Sequence, residues 1–174
     1  MQPRAGIDGV VIIMLFELFK TFSFWTYNSA LSLTIRESKW GFAGLEVVHL
    51  FGLTILLGSL VMLSLRFLGL TMRKLPINRV ARELAPATAI GLTIVIGSGV
   101  LMFVSGAVRY YISGAFQFKM ACFLVANIVH FTIYWNVTRT GDMAVEPRWI
   151  RVMGVVALLL WVSVGAAGRA IAFL

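Results

Sequence analysis

The sequence contains few cysteines, histidines, prolines and charged residues. Among its 174 residues are one cysteine, two histidines, four prolines and seven acidic residues, and only 13% are charged. The lone Cys122 excludes a disulfide within the chain. A domain of this size with so few charges cannot cover its surface with polar groups, so the composition also excludes a soluble globular protein.

What the chain has instead is apolar surface. Hydrophobic residues make up 60% of the sequence and the mean hydropathy is +0.92. These values are typical of an integral membrane protein, and the length allows one polytopic domain. The net charge of +8 does not indicate nucleic acid as a partner, because the basic residues lie in short loops between apolar runs. There they indicate membrane topology and contacts with membrane lipids.

Four apolar segments are long enough to cross the ~30 Å hydrocarbon core of a bilayer. They lie near residues 42–66, 86–107, 117–137 and 149–170. Pro86 and Pro147 stand where the second and fourth helices should begin, a position that tolerates proline. We therefore predict an all-α fold in which residues 39–174 form a polytopic membrane four-helix bundle with antiparallel neighbours.

The N-terminal segment, residues 1–38, is predicted to be a separate amphipathic unit. Apolar residues recur at helical spacing from Ile7 to Phe22, while Glu17 and Lys20 lie one turn apart on another face. This pattern favours a helix in the plane of the membrane interface, and a fifth spanning helix with Glu17 paired to Lys20 is the alternative. Residues 28–39 are polar enough for a surface turn or a short amphipathic helix.

The distribution of basic residues predicts the orientation of the bundle. Eight arginines and lysines lie at one set of helix ends and five at the opposite set. The eight are Arg66, Arg73, Lys74, Arg79, Arg82, Arg139, Arg148 and Arg151, and the five are Arg36, Lys39, Arg109, Lys119 and Arg169. The excess predicts that the first set faces the cytoplasm, with His49 toward the outer face.

Both histidines, His49 and His130, fall inside predicted spans, where an ionisable residue is a candidate functional residue. A bundle that holds a b-type haem needs axial imidazoles with a small residue one turn away, which leaves room for a flat ring. Gly52 is such a residue beside His49. We therefore predict a haem b site with His49 and His130 as iron ligands, and with Lys119 and Arg109 available to pair with the haem propionates.

Other interpretations of the histidines stay open. His49 is predicted to lie about 10 Å into its helix and His130 about 18 Å into its own, a mismatch of ~8 Å for ligands of one iron. The two histidines therefore serve either one iron or different sites. A membrane histidine can also simply hydrogen-bond a neighbouring helix or, here, Glu46 in its own turn. Glu46 and His49 spell E-x-x-H, but a di-iron centre needs a second such motif and further carboxylates, which the other spans lack.

Three motifs carry a resemblance to known proteins: E-x-x-H at Glu46 and His49, L-R-x-L-G at residues 65–69, and F-x-F-K at residues 116–119. Over about residues 29–135 the chain resembles an uncharacterised family of small four-helix bacterial membrane proteins. That family is similar to the membrane domain of CopD-type copper-resistance proteins and to HemJ-type protoporphyrinogen oxidases. The HemJ likeness implies a haem-binding bundle with His49 as an axial ligand and Lys119 close to the site. Ser64 stands where that pattern has an acid, so no proton-relay role is transferred to this position.

Three functions are consistent with the sequence. The first is electron transfer by a haem-binding, cytochrome b-like protein of the bacterial inner membrane. The second is an accessory subunit of a larger membrane redox complex, since the predicted spans leave little chain outside the membrane. The third is an enzyme or transporter, either porphyrinogen oxidase-like or copper-handling. Scattered methionines and a single cysteine disfavour copper transport.

Overall fold

The protein is helical, and the computed structural model describes residues 7–139 and 148–171. Within those ranges the elements are α1 (Ile7–Tyr27), α2 (Ala30–Glu37), α3 (Gly41–Phe67), α4 (Ile77–Tyr111), α5 (Gly114–Arg139) and α6 (Arg148–Ile171), and no strand is present. Helices α3 to α6 are long and apolar enough to span a membrane. The predicted class, a multi-pass helical membrane protein, is therefore confirmed.

The four long helices form an antiparallel bundle in which α3 and α5 occupy opposite corners. Helix α3 packs against α4 and α6, and α5 packs against the same two helices. Among the described residues, the backbones of α3 and α5 do not approach each other closely. The space between these two diagonal helices is consequently filled by side chains or left as a cavity.

The α3–α4 interface is the most extensive in the bundle and depends on glycines. A Cβ atom on Gly91 would lie 2.6 Å from the backbone nitrogen of Leu56, and one on Gly52 would lie 2.6 Å from Ile94 Cγ2. Because lipid tails are as apolar as leucine, helices in a membrane associate through close packing, which small residues allow. Gly52 thus faces α4 rather than open space beside the His49 ring.

Helix α4 begins at Ile77, so the prediction that it begins at Pro86 is wrong. Pro86 lies inside the helix, where proline removes a backbone hydrogen bond at a cost of roughly 3 kcal/mol. Burial offsets this cost, because Ile77, Val80 and Ala81 in the preceding turns belong to the apolar core that α4 forms with the other three long helices. The other predicted helix start, Pro147, lies outside the described residues.

Helix α1 packs against the half of α4 that carries Phe103 and Tyr111. The rings of Phe16 and Phe24, two turns apart on α1, have their centroids 6.1 and 6.3 Å from that of Tyr111. Between them, Phe19 stacks on Phe103 at 6.1 Å. The aromatic residues of α1 therefore contact α4 at two positions eight residues apart, Phe103 and Tyr111.

Two polar features of the N-terminal segment are defined in the structure, an ion pair on α1 and a capped α2. Glu17 and Lys20 form an exposed ion pair, with 3.3 Å between Lys20 Nζ and Glu17 Oε2. The short amphipathic helix expected within residues 28–39 is α2, and Ser29 caps its start by accepting a hydrogen bond from the backbone nitrogen of Ser32 at 3.2 Å.

Substitution of Gly91 tests the close approach of α3 and α4. We expect Gly91→Ala to lower the free energy of unfolding by roughly 1–3 kcal/mol, because its Cβ would overlap the Leu56 backbone. The measurement is the denaturation midpoint of the purified protein in detergent. Gly58→Ala on α3 is the matched control, since a Cβ there meets nothing within 4 Å. Equal midpoints for the two variants would contradict the glycine-dependent interface.

Candidate functional site

A cavity of about 560 Å³ lies in the half of the bundle nearest Tyr111. Residues of all four long helices line it, and Phe19 of α1 stands at its edge. The wall is apolar and aromatic apart from His49, Gln117 and Lys119. Its lipid-facing side includes the exposed residues Ile96, Val100 and Met120 on α4 and α5. Two residues predicted from the sequence, His49 and Lys119, are therefore brought to one site.

His49 projects from α3 towards α4 and is only 9% exposed. Its Nδ1 atom lies 2.9 Å from Ser98 Oγ on α4, and a Cβ atom on Gly99 would lie 3.3 Å from His49 Cε1. The missing side chain at position 99 therefore makes room for the imidazole ring. Glu46, the alternative partner one turn away, is exposed. The prediction that a membrane histidine hydrogen-bonds a neighbouring helix is confirmed for His49.

Lys119 extends from α5 towards α6. A Cβ atom on Gly168 would lie 3.4 Å from Lys119 Nζ, so this glycine leaves the space that the lysine occupies. Ion pairs in the described part of the chain join Lys20 to Glu17 and Arg79 to Glu83, and none of them includes Lys119. The ammonium group is a half-buried cation without an acidic partner, which is unfavourable in apolar surroundings.

A stack of aromatic rings lies beside the cavity, and Phe103 and Phe116 of this stack line it. The Phe103 and Phe116 centroids are 5.5 Å apart with an interplanar angle of 20°, and Tyr110 stacks on Phe116 at 5.4 Å. Phe123, which also lines the cavity, meets the buried Trp161 edge-on at 5.8 Å. Both ring geometries are favourable. A lining that includes these phenylalanines is suited to an apolar ligand with a ring system of its own.

His130 lies elsewhere in the bundle. It follows Lys119 by eleven residues on α5, which is about 16 Å along the helix, and it does not line the cavity. It is 8% exposed, with its ring 5.7 Å from Phe131 and stacked on Tyr134 at 6.5 Å. Measured from the observed helix starts, the depth of His49 is about 12 Å and that of His130 about 24 Å. The histidines are thus further apart than the sequence predicted.

Two more predicted site residues stand away from the cavity wall. Gly52 packs against Ile94 of α4, and Arg109 is exposed at the end of α4. Sequence reasoning instead missed Ser98 and Gly99, because α4 contains no histidine that would draw attention to it. The adjacent serine and glycine were the only available signal, and the glycine alone indicates helix packing equally well.

The acidic and metal-binding side chains do not assemble into a metal centre of their own. Within residues 7–139 and 148–171, no three histidine, cysteine, aspartate or glutamate side chains are grouped closely enough to hold a metal ion. Most ligands of a metal ion bound by His49 would therefore have to come from a cofactor rather than from these side chains.

Removal of the Lys119 charge tests whether the Lys119 ammonium lacks an acidic partner. We expect Lys119→Met to raise the free energy of unfolding of the ligand-free protein by roughly 1 kcal/mol or more, because a side chain of similar shape replaces an unpaired cation. The denaturation midpoint in detergent is the measurement, with the exposed Lys39→Met as control. A Lys119→Met protein that is less stable than the wild type would mean that the amine has a stabilising partner.

Comparison with known proteins places the chain in one family. Residues 18–174 match the family of unknown function DUF6644, and because this match covers most of the sequence, the chain belongs to that family. No curated protein and no solved structure matches it.

Proposed function

We propose that this member of DUF6644 is a haem b-binding protein of the bacterial inner membrane that transfers electrons, with His49 as an axial ligand of the iron. The observation that carries the proposal is a buried imidazole, together with an amine that has no acidic partner among the described residues, on the wall of an apolar cavity of about 560 Å³. Ligand cavities in proteins have volumes of about 300–1,000 Å³.

The donor set fits a haem better than a bare metal ion. No group of three or more potential ligands exists among the described residues, so a simple ion would be poorly held. A haem carries four ring nitrogens of its own, and it requires from the protein only axial side chains and an apolar slot. His49 is the sole imidazole on this cavity wall. Ligation by His49 without His130 is therefore the arrangement we propose.

Lys119 gives the site a preference for an acidic ligand. Its ammonium group has no carboxylate partner in the described part of the chain. A propionate of haem would form a charge-assisted hydrogen bond with it and remove the unfavourable burial of an isolated charge. An apolar ligand without an acidic group would leave this cation uncompensated.

The surroundings suit electron transfer. When bound, haem supplies a one-electron couple whose potential depends on the axial ligand, on nearby hydrogen bonds and on burial. Here the phenylalanines exclude water, the His49 ring is held by α4, and Lys119 places positive charge close by. Because an electron carrier needs a donor and an acceptor, we propose that the protein works beside other subunits of a membrane redox complex.

The optical spectrum of the purified protein, oxidised and dithionite-reduced, tests the proposal. We expect the wild type to have reduced b-type bands, His49→Ala to lose them, and His130→Ala to keep them. His130→Ala is the matched control because it removes the other membrane imidazole outside the cavity. A colourless wild type, even after haem is added, would refute haem binding. Loss of the bands in His130→Ala alone would move the site to that histidine.

The shape of the cavity provides a second test. We expect Gly99→Val to weaken haem binding by about tenfold or more, because its side chain would occupy the space beside the His49 ring, and overpacking of this kind costs about 1–3 kcal/mol. Gly97→Val is the control, since a Cβ there meets nothing within 4 Å. The measurement is a haem titration followed by absorbance. Equal affinities in the two variants would exclude this cavity as the haem site.

A further inference from the structure

We infer that Ser98 is a positioning residue that fixes the tautomer of His49, so that the ring carries its proton on Nδ1 and leaves Nε2 free to bind a metal. The tautomer itself follows from the hydrogen bonds of the ligand-free protein. The consequence for metal binding rests on the proposed function.

The direction of the hydrogen bond follows from the single proton of the serine hydroxyl. Ser98 Oγ lies 2.5 Å from the backbone carbonyl oxygen of Ile94 and 3.5 Å from that of Val95. Two oxygen atoms at 2.5 Å require a proton between them, so Ser98 donates to Ile94. Its hydroxyl can then only accept at the 2.9 Å contact with His49, and Nδ1 must be the protonated donor.

Burial makes this arrangement persistent. Both His49 and Ser98 are buried between α3 and α4, and the cavity that His49 lines offers mainly apolar side chains. Serine hydroxyls in membrane helices commonly donate to a carbonyl one turn earlier, and Ser105 does so to Met102 at 2.8 Å. Ser98 differs from Ser105 because the hydroxyl oxygen of Ser98 also accepts a hydrogen bond from a ring nitrogen on the facing helix.

The consequence concerns the second ring nitrogen. A neutral imidazole has one protonated nitrogen and one with a free lone pair. Metal-ligating histidines almost always donate their other N–H to an acceptor, which fixes the ring orientation and strengthens the ligand. Ser98 donates its proton to the backbone carbonyl of Ile94 and therefore accepts from Nδ1 of His49. Nε2 of His49 thus keeps its free lone pair and is the ligating atom.

The tautomer is measurable without any ligand. We expect ¹⁵N NMR of the histidine-labelled, haem-free protein, recorded with the imidazoles neutral, to place the His49 proton on Nδ1. Because the chain has two histidines, the spectrum of His49→Gln identifies which signals belong to His49. Ser98→Ala should weaken the preference, because only the backbone carbonyl of Val95 then remains as an acceptor for the ring; Ser98→Thr should keep it through its own hydroxyl, and Ser105→Ala should leave it unchanged. A wild-type proton on Nε2 would overturn the inference.

Haem titration then tests the consequence. We expect Ser98→Ala to bind haem about 10–100-fold more weakly than the wild type and with a higher reduction potential, while Ser105→Ala matches the wild type. Unchanged affinity and potential in Ser98→Ala would overturn the positioning role. If the wild type binds no haem but its His49 proton is on Nδ1, the proposed function fails while the assignment of the tautomer stands.

Discussion

The interior of a bilayer offers no hydrogen-bond partners, and this constraint shapes the whole structure. Backbone groups pair within helices, and most buried hydroxyls donate to a carbonyl of their own helix. Ser59 and Thr88 each lie within hydrogen-bond distance of such a carbonyl and also 2.9 Å from each other across the α3–α4 interface, so one hydroxyl donates to its own helix and the other donates across the interface. In contrast, some polar groups of the described residues lack a partner. The ammonium of Lys119 has no acidic partner there, and Nε1 of Trp161 has no hydrogen-bond acceptor.

Glycine serves two different purposes in this bundle. At Gly91 the absence of a side chain lets the backbone of α3 approach α4, which is a requirement of assembly. At Gly99 and Gly168 it leaves room for the His49 ring and the Lys119 amine, which are polar groups of the cavity. The first kind of glycine contacts the backbone of a neighbouring helix, and the second kind contacts a polar side chain. Only the three-dimensional arrangement separates them.

The sequence alone predicted much of this architecture, for identifiable physical reasons. Long apolar segments must be buried in lipid, so the existence of the four spans and the short α2 followed from composition and periodicity. The start of α4 was missed because core packing of Ile77 and Val80 outweighs the penalty at Pro86. Of the residues that the sequence predicted for a haem site, His49 and Lys119 line one cavity and Gly52 does not. A periodic pattern identifies the face of a helix, whereas the register between helices decides which neighbour that face meets.

The position of the cavity has a consequence for how this protein can change. Assembly depends mainly on the α3–α4 seam, with Gly52, Gly91 and the Ser59–Thr88 pair, and on the apolar core around Phe67. The cavity lining has two parts: Leu53, Val95 and Phe123 also belong to the apolar cluster around Leu56 and Trp161, whereas Ile96, Val100 and Met120 face outward. Substitutions at the outward-facing positions can alter ligand preference while the scaffold persists, so the lipid-facing side of the cavity is where the protein can diverge without loss of its fold.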